Sequence, residues 1–274
     1  MSFNINSDQN KMKGGKIMKK ISMYLALVIL SIVLTTGRAI ALPFNDRPIT
    51  TVSGQLDELQ NTMTNIGSTI NVYDEQSSAA IFNPTSGISS TTYIATASWN
   101  TTSYPLEFGL YEYGNTSNTL TLFDTELHSA GQEIVIDFDA VGGTVSSIGL
   151  SPYTLIDSTS YFGSFGFYIQ SDYENPGTGT NIYYSEDDQN PSGIAAMLAF
   201  EGNGDDVTLP LWGTSYNDAA HWYVAMEGYG GVVDYTDMVV QFESIAPVPE
   251  PGTMILLGSG LVGLAFYGRR RKKA

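Results

Sequence analysis

Clustered carboxylates are the residues of this chain best placed to do chemistry. Glu227 with Asp234 and Asp237, Asp205-Asp206 behind Asn203-Gly204, and Glu186-Asp187-Asp188 each gather oxygen donors in a stretch of turn-forming residues. Hard oxygens on flexible loops are what calcium takes, roughly six to eight in a full shell, and weak extracellular modules bind it at about 10⁻⁴ to 10⁻³ M. Calcium is thus the one cofactor the residues suggest, with Glu227, Asp234 and Asp237 the leading ligands. None of the three groups has EF-hand spacing or that of a calcium-binding nonapeptide repeat. The competing expectation is that they are solvated loop carboxylates that keep the protein soluble.

Paired carboxylates also serve as acid and base in glycoside cleavage, where their separation in space decides the matter. Other catalytic patterns are missing from the sequence. It has no Gly-x-Ser-x-Gly elbow, no His-Glu-x-x-His and no cysteine, and its two histidines are His128 and His221. A non-enzymatic body is therefore expected, with a secreted glycoside hydrolase as the competing class. A carbohydrate-binding module is the third. Exposed Trp or Tyr rings can stack on sugars, and of Trp99, Trp212 and Trp222 the ring expected in a loop is Trp212, within Pro210-Leu211-Trp212-Gly213.

Charge narrows the partners. Residues 42–248 hold 26 Asp and Glu against one cation, Arg47, a net charge of −25 that the overall −16 conceals. Such a body repels phosphate backbones and excludes nucleic acid, leaving cations and neutral or cationic polymers. Without cysteine there is no thiol catalysis, Cys-type zinc site or disulfide, and a domain of this length can bury a sufficient core without cross-links.

What positions this body in the cell is written at its ends. Val248-Pro249-Glu250-Pro251-Gly252-Thr253 leads into an uncharged apolar run over residues 254–267 and then Gly268-Arg269-Arg270-Arg271-Lys272-Lys273. At about 1.5 Å per residue, residues 252–268 reach roughly 26 Å, slightly short of a hydrocarbon core of about 30 Å. Snorkelling of the cation block makes up the deficit and fixes it on the cytoplasmic side. The prolines disfavour helix, so the Pro-Glu-Pro stretch is expected to stay extended and accessible outside the bilayer.

Residues 248–273 resemble, in order, spacing and charge, the PEP-CTERM sorting signal of Gram-negative bacteria. The resemblance implies that Pro249-Glu250-Pro251 is read by an exosortase, a membrane transpeptidase-like protease that cuts near the motif. It also implies that the protein is exported to the cell surface or extracellular matrix, in association with exopolysaccharide. An ordinary tail anchor would have no need of the two prolines.

The front of the chain agrees. Residues 1–16 are polar and read as an upstream extension, with Met18 as an alternative start. Met18-Lys19-Lys20, an apolar stretch over 21–34 and Ala39-Ile40-Ala41 then form a signal peptide for the general secretion pathway, cleaved after Ala41. The expected organisation is leader and signal peptide over 1–41, an acidic β domain over 42–247 and the sorting tail over 248–274. The tail anchors the protein transiently in the inner membrane before processing.

The body is expected to be all-β, an antiparallel sandwich or jelly roll with one short N-terminal helix, between a cleavable signal helix and a single C-terminal transmembrane helix. Leu56, Leu59, Met63, Ile66 and Ile70 follow helical spacing over residues 55–70, with Gly67 ending the helix. Ile134, Ile136 and Phe138 alternate with Glu133, Val135 and Asp137, as a half-buried strand requires. Similar runs over 93–99, 106–110, 119–123, 165–169, 182–184, 195–200, 222–227 and 238–243 bring the strands to about nine, and Asn115-Thr116-Ser117-Asn118 is expected to be a loop. His221 to Gly228 and Asp234 to Val240 resemble the end of an uncharacterised β-rich bacterial surface domain. Gly228 and Thr236 stand where that domain has Asp and Asn, which removes two oxygen donors. Phe165-Gly166-Phe167-Tyr168, and Tyr183-Tyr184-Ser185 with Asn190-Pro191, resemble segments of proteins that carry this tail.

Overall fold

In the computed structural model the chain divides into compact units over 1–42 and 43–274. The described residues are 54–95, 106–140, 143–150, 153–171, 181–210, 216–228, 234–248 and 258–260. The expected signal peptide and nearly all of the C-terminal apolar run lie outside them. Gly258 to Gly260 are helical, and among the described residues no helix is long and apolar enough to cross a membrane.

The body is the expected antiparallel sandwich. One sheet has seven strands in the order β10(Met197–Glu201), β13(Trp222–Met226), β14(Met238–Phe242), β2(Ile88–Ala95), β5(Glu133–Ala140), β6(Thr144–Leu150), β7(Tyr153–Ser160). The other runs β15(Ile245–Pro247), β1(Phe82–Pro84), β8(Phe165–Ser171), β3(Leu106–Glu112), β4(Asn115–Asp124), with β9(Asn181–Tyr184) continuing along the β8 edge. A two-stranded ribbon, β11(Asp206–Val207) and β12(Tyr216–Asn217), is separate.

Aromatic side chains fill the space between the sheets. Phe242 of the larger sheet lies 5.0 Å from Phe167 and 6.2 Å from Phe108 of the smaller one, ring centre to ring centre, and Trp222 meets Phe82 at 5.1 Å. Ile134, Ile136 and Phe138 all point into this core, as their alternation requires. The larger sheet is also covered outside. Helix α1 (Asp57–Asn65) sets Leu59 and Met63 against Leu198, Phe200, Tyr223 and Val239 in a second cluster. Strands β13 and β14 are therefore buried on both faces, which explains why Trp222-Tyr223-Val224-Ala225-Met226 does not alternate. The helix ends where expected. Gly67 is left-handed (φ +92°), and the amides of Ser68 and Gly67 donate to Met63 O and Thr64 O, both at 3.0 Å, closing a Schellman turn.

Two expectations about local structure need correction. Asn115 begins β4 instead of a loop, because the chain turns at Tyr113-Gly114, where Gly114 takes φ +83°. Thr116 to Asn118 then bulge where the β3–β4 register slips. Strands β6 and β7 were not foreseen, since their Ser- and Thr-rich sequences carry little apolar signal. They curl toward the free edge of β4, where Asp157 accepts from Thr121 N–H (2.9 Å) and Ser147 Oγ donates to Thr121 O (2.7 Å), in place of a strand partner.

Phe165-Gly166-Phe167-Tyr168 has a packing reason. Tyr111 pairs with Gly166 and Gly109 with Tyr168 across β3 and β8, so each tyrosine ring lies over the opposite glycine. A β carbon on Gly166 would fall 2.4 Å from Tyr111 Cζ. Asn190 has a reason too: its side chain accepts from Tyr184 N–H (2.7 Å) and donates to Tyr184 O (2.8 Å) and Ile194 O (2.9 Å).

Gly166→Ala is expected to lower unfolding stability by roughly 1–3 kcal/mol through overpacking, read as a drop in the urea midpoint. Gly163→Ala, which has open space around its added carbon, should stay within about 0.5 kcal/mol. Asn190→Ala removes three hydrogen bonds of about 1 kcal/mol each and is expected to cost roughly 2–3 kcal/mol in the same assay.

Candidate functional site

Residues of the sorting signal meet the fold at β15. This edge strand pairs with β1 through Phe82↔Pro247, Asn83↔Ala246 and Pro84↔Ile245. Val248 N–H donates to Ile81 O at 2.8 Å, and its side chain packs on the core. Val248, the first residue of the motif, thus belongs to the folded body, and a single peptide bond separates it from Pro249. Pro249, Glu250, Pro251, the cation block Arg269, Arg270, Arg271, Lys272, Lys273, and the cleavage-site residues Ala39 and Ala41 lie outside the described residues. So do Trp99 and Trp212.

Glu227, Asp234 and Asp237 are brought together where β13 gives way to β14. Glu227 Oε2 accepts from Asp234 N–H (3.0 Å) and Tyr235 N–H (3.2 Å), while Asp237 Oδ2 accepts from Gly228 N–H (2.7 Å). Asp234 Oδ1 takes the amide and hydroxyl of Thr236 at 3.0 and 2.8 Å. Tyr235 is left-handed (φ +58°) and holds Ala195 O through its hydroxyl. Burial, then the charge of Asp237 and a hydrogen bond to it, push Glu227 up to about 9, and burial also raises Asp237. A proton held between the two carboxyls is the arrangement that these shifts favour. Gly228 is packed against Ile169, 3.1 Å from where a β carbon would sit, so a side chain here would crowd that residue.

The other acidic groups are also tied to their surroundings. Asp205 Oδ2 accepts the amide and hydroxyl of Thr69 at 2.6 and 2.8 Å, and Glu186 Oε2 accepts from Tyr111 Oη at 2.7 Å. Asp206 and Asp188 are exposed. Among the described residues no group of three or more His, Asp or Glu side chains is arranged to hold a metal ion.

A cluster that spacing did not reveal lies on the outer face of the larger sheet, beside the helix-covered part. Register places Tyr223, Gln241, Thr92 and Glu133 in one row across β13, β14, β2 and β5. In the next row the sheet brings Glu243 beside Ser90, whose carbonyl accepts from Glu243 N–H at 3.0 Å. His221 Nε2 lies 3.6 Å from Glu243 Oε2 and its Nδ1 3.3 Å from Ala219 O. Tyr216 covers the group, its ring 5.4 Å from that of His221. Tyr216 Oη donates to Gln241 Oε1, Gln241 Nε2 to Tyr223 Oη (3.1 Å), and Tyr223 Oη to Asp218 Oδ2 (2.8 Å). Asp218 Oδ1 in turn takes the amides of Gly204 (2.8 Å) and Asp205 (2.7 Å).

Two hollows adjoin at this cluster. One, of about 390 Å³, is lined by Ser90, Thr92, Glu133, Tyr216 and Asn217 among others; the second, of about 740 Å³, by Glu201, Ala220, Ser244, Ala246 and Pro247 among others; His221 and Glu243 border both. Ser90 bonds both Glu133 and Glu243. Burial raises Glu133, the hydrogen bond from His221 lowers Glu243, and the same bond raises His221. His221, when protonated, is thus half of an ion pair at the border of two cavities. The members of this cluster are up to about 150 residues apart in the chain, and only strand register unites them.

The shared proton has a pH signature. A carboxyl that holds its proton more tightly when folded contributes stability that is complete below its ordinary pKa of 4.5 and is lost as pH rises toward about 9. Glu227→Gln keeps the acceptor for Asp234 and Tyr235 and gives Asp237 a permanent donor. Its melting temperature is expected to fall less than that of the wild type between about pH 5 and 9, with the slopes differing by up to one proton. Parallel curves would remove the shared proton from the account.

No curated protein and no solved structure matches the chain. A family model does match at the junction and beyond it: residues 247–272 fit the PEP-CTERM protein-sorting motif, so the chain carries the tail of a PEP-CTERM protein, the signal that targets a surface protein to an exosortase.

Proposed function

We propose that this chain is a non-enzymatic surface or matrix protein. The general secretion pathway exports it, residues 254–267 hold it briefly in the inner membrane, and an exosortase-type protease processes it at Pro249-Glu250-Pro251. Its body then associates with exopolysaccharide. The observation that carries the reading is the sorting motif itself, joined directly to a folded acidic sandwich. The signal peptide ending at Ala41 supports export independently, and the net charge of −25 over residues 42–248 favours a neutral or cationic polymer over an anionic one.

One observation favours a glycoside hydrolase as the second reading. Glu133 and Glu243 border one hollow with their proton affinities pushed in opposite directions, the relation expected of an acid and its partner carboxylate. Incubation with polysaccharide separates the readings, because a non-enzymatic body releases no new reducing ends.

Mass spectrometry of the protein from the surface of an exosortase-positive cell is expected to show a chain that begins at Leu42 and has lost the apolar run and the cations. A surface form still ending at Ala274 would overturn the processing step. Replacing Pro249 and Pro251 by Ala is expected to leave the uncut chain in the membrane fraction.

A further inference from the structure

We propose that the trough made by the two hollows on either side of the His221–Glu243 pair binds a segment of a neutral polysaccharide. The proposal rests on the surface-protein reading above and names the site through which the body would hold the polymer.

Shape is the first argument. Hollows of about 390 and 740 Å³ each fall within the range of roughly 300–1,000 Å³ typical of small-molecule sites. They adjoin along a wall of two side chains, which suits a chain of linked units better than one compact ligand.

Chemistry is the second. A sugar hydroxyl both donates and accepts, and the smaller hollow is lined by groups that match it: the Ser90 and Thr92 hydroxyls, and the Tyr216 oxygen, which keeps acceptor capacity after donating to Gln241. Glu243, beside His221, adds acceptor capacity at the shared wall. Ala219, Ala220 and Pro247 give the larger hollow apolar surface for the C–H faces of sugar rings. The carboxylates, in a body of charge −25, repel uronate, phosphate and sulfate groups, which excludes acidic polymers, and the hydroxyl-matched lining selects an uncharged one over an amino polymer.

The third argument is that the site is held in advance. The chain of hydrogen bonds from Tyr216 through Gln241 and Tyr223 to Asp218 fixes two lining side chains from behind. Ala220 (φ +65°) and Ser244 (φ +58°) sit beside His221 and Glu243 in left-handed backbone that non-glycine residues seldom adopt. Such conformations are strained and concentrate at ligand clamps.

The test uses protein purified from the cell surface, applied to an array of neutral, amino and acidic oligosaccharides. Neutral members are expected to bind and acidic ones to fail. His221→Ala and Glu243→Gln are each expected to weaken binding about tenfold or more, with a melting curve of each variant to show that it is folded. An array on which no neutral member binds overturns the proposal, as do folded His221→Ala and Glu243→Gln proteins that bind like the wild type. Co-sedimentation with the producing cell's own extracellular polymer reads the broader function separately. If wild type and variants all co-sediment alike, the site is wrong and the function stands; if the wild type fails to co-sediment yet binds the array through His221 and Glu243, the function is wrong and the site stands.

Discussion

A body with 26 carboxylates and one arginine cannot neutralise its buried acids with cations. Burying a carboxylate without compensation is too costly to persist, so the fold uses other donors. Tyrosine hydroxyls do much of it: Tyr111 bonds Glu186, Tyr223 bonds Asp218 and, at a half-buried site, Tyr168 bonds Glu107. Backbone amides serve Asp218, Asp237 and Asp205. At Glu227 and Asp237 backbone amides are joined by the effect of burial, which raises the proton affinity of both carboxyls. The wealth of tyrosine in the sequence follows from this constraint as much as from packing, because each phenol supplies both an apolar ring and a donor.

The same constraint shapes the larger sheet. Its middle strands are covered by the smaller sheet on one face and by helix α1 on the other, so they can be apolar throughout. Where the helix ends, the outer face must meet water, and there Gln241, Thr92, Ser90, Glu133 and Glu243 replace Val and Leu. The polar trough lies on the outer face of the sheet beside the strands that α1 covers. His221 marks its border as an ion-pair partner for Glu243 in a region where cations are nearly absent.

Much of the fold was legible in the sequence wherever burial is one-sided. Glu133 to Asp139 alternates because one face of β5 is core and the other is not, and residues 55–70 show helical spacing because α1 presents a single stripe to the sheet. Strands β6 and β7 were illegible for the opposite reason. They lie at the end of the sheet with Leu155 exposed, and they are held by Asp157 and Ser147 to the edge of β4 more than by apolar packing. Of the site, the acidic corner at Glu227, Asp234 and Asp237 could be read as a neighbourhood, since nearby residues in sequence form it. The trough could not. Ser90, Glu133, Gln241 and Glu243 meet through the register of three strands, and no local spacing encodes that register.

The seating of Val248 on Ile81 leaves the recognition prolines no leash. An enzyme that grips Pro249 works flush against a rigid globule, and if its groove also takes upstream residues, β15 must first be unzipped from β1. Three residues paired along one side are a cheap element to unzip. If processing at Pro249-Glu250-Pro251 needs those upstream residues, the strength with which β15 is docked on β1 sets how readily the tag is reached.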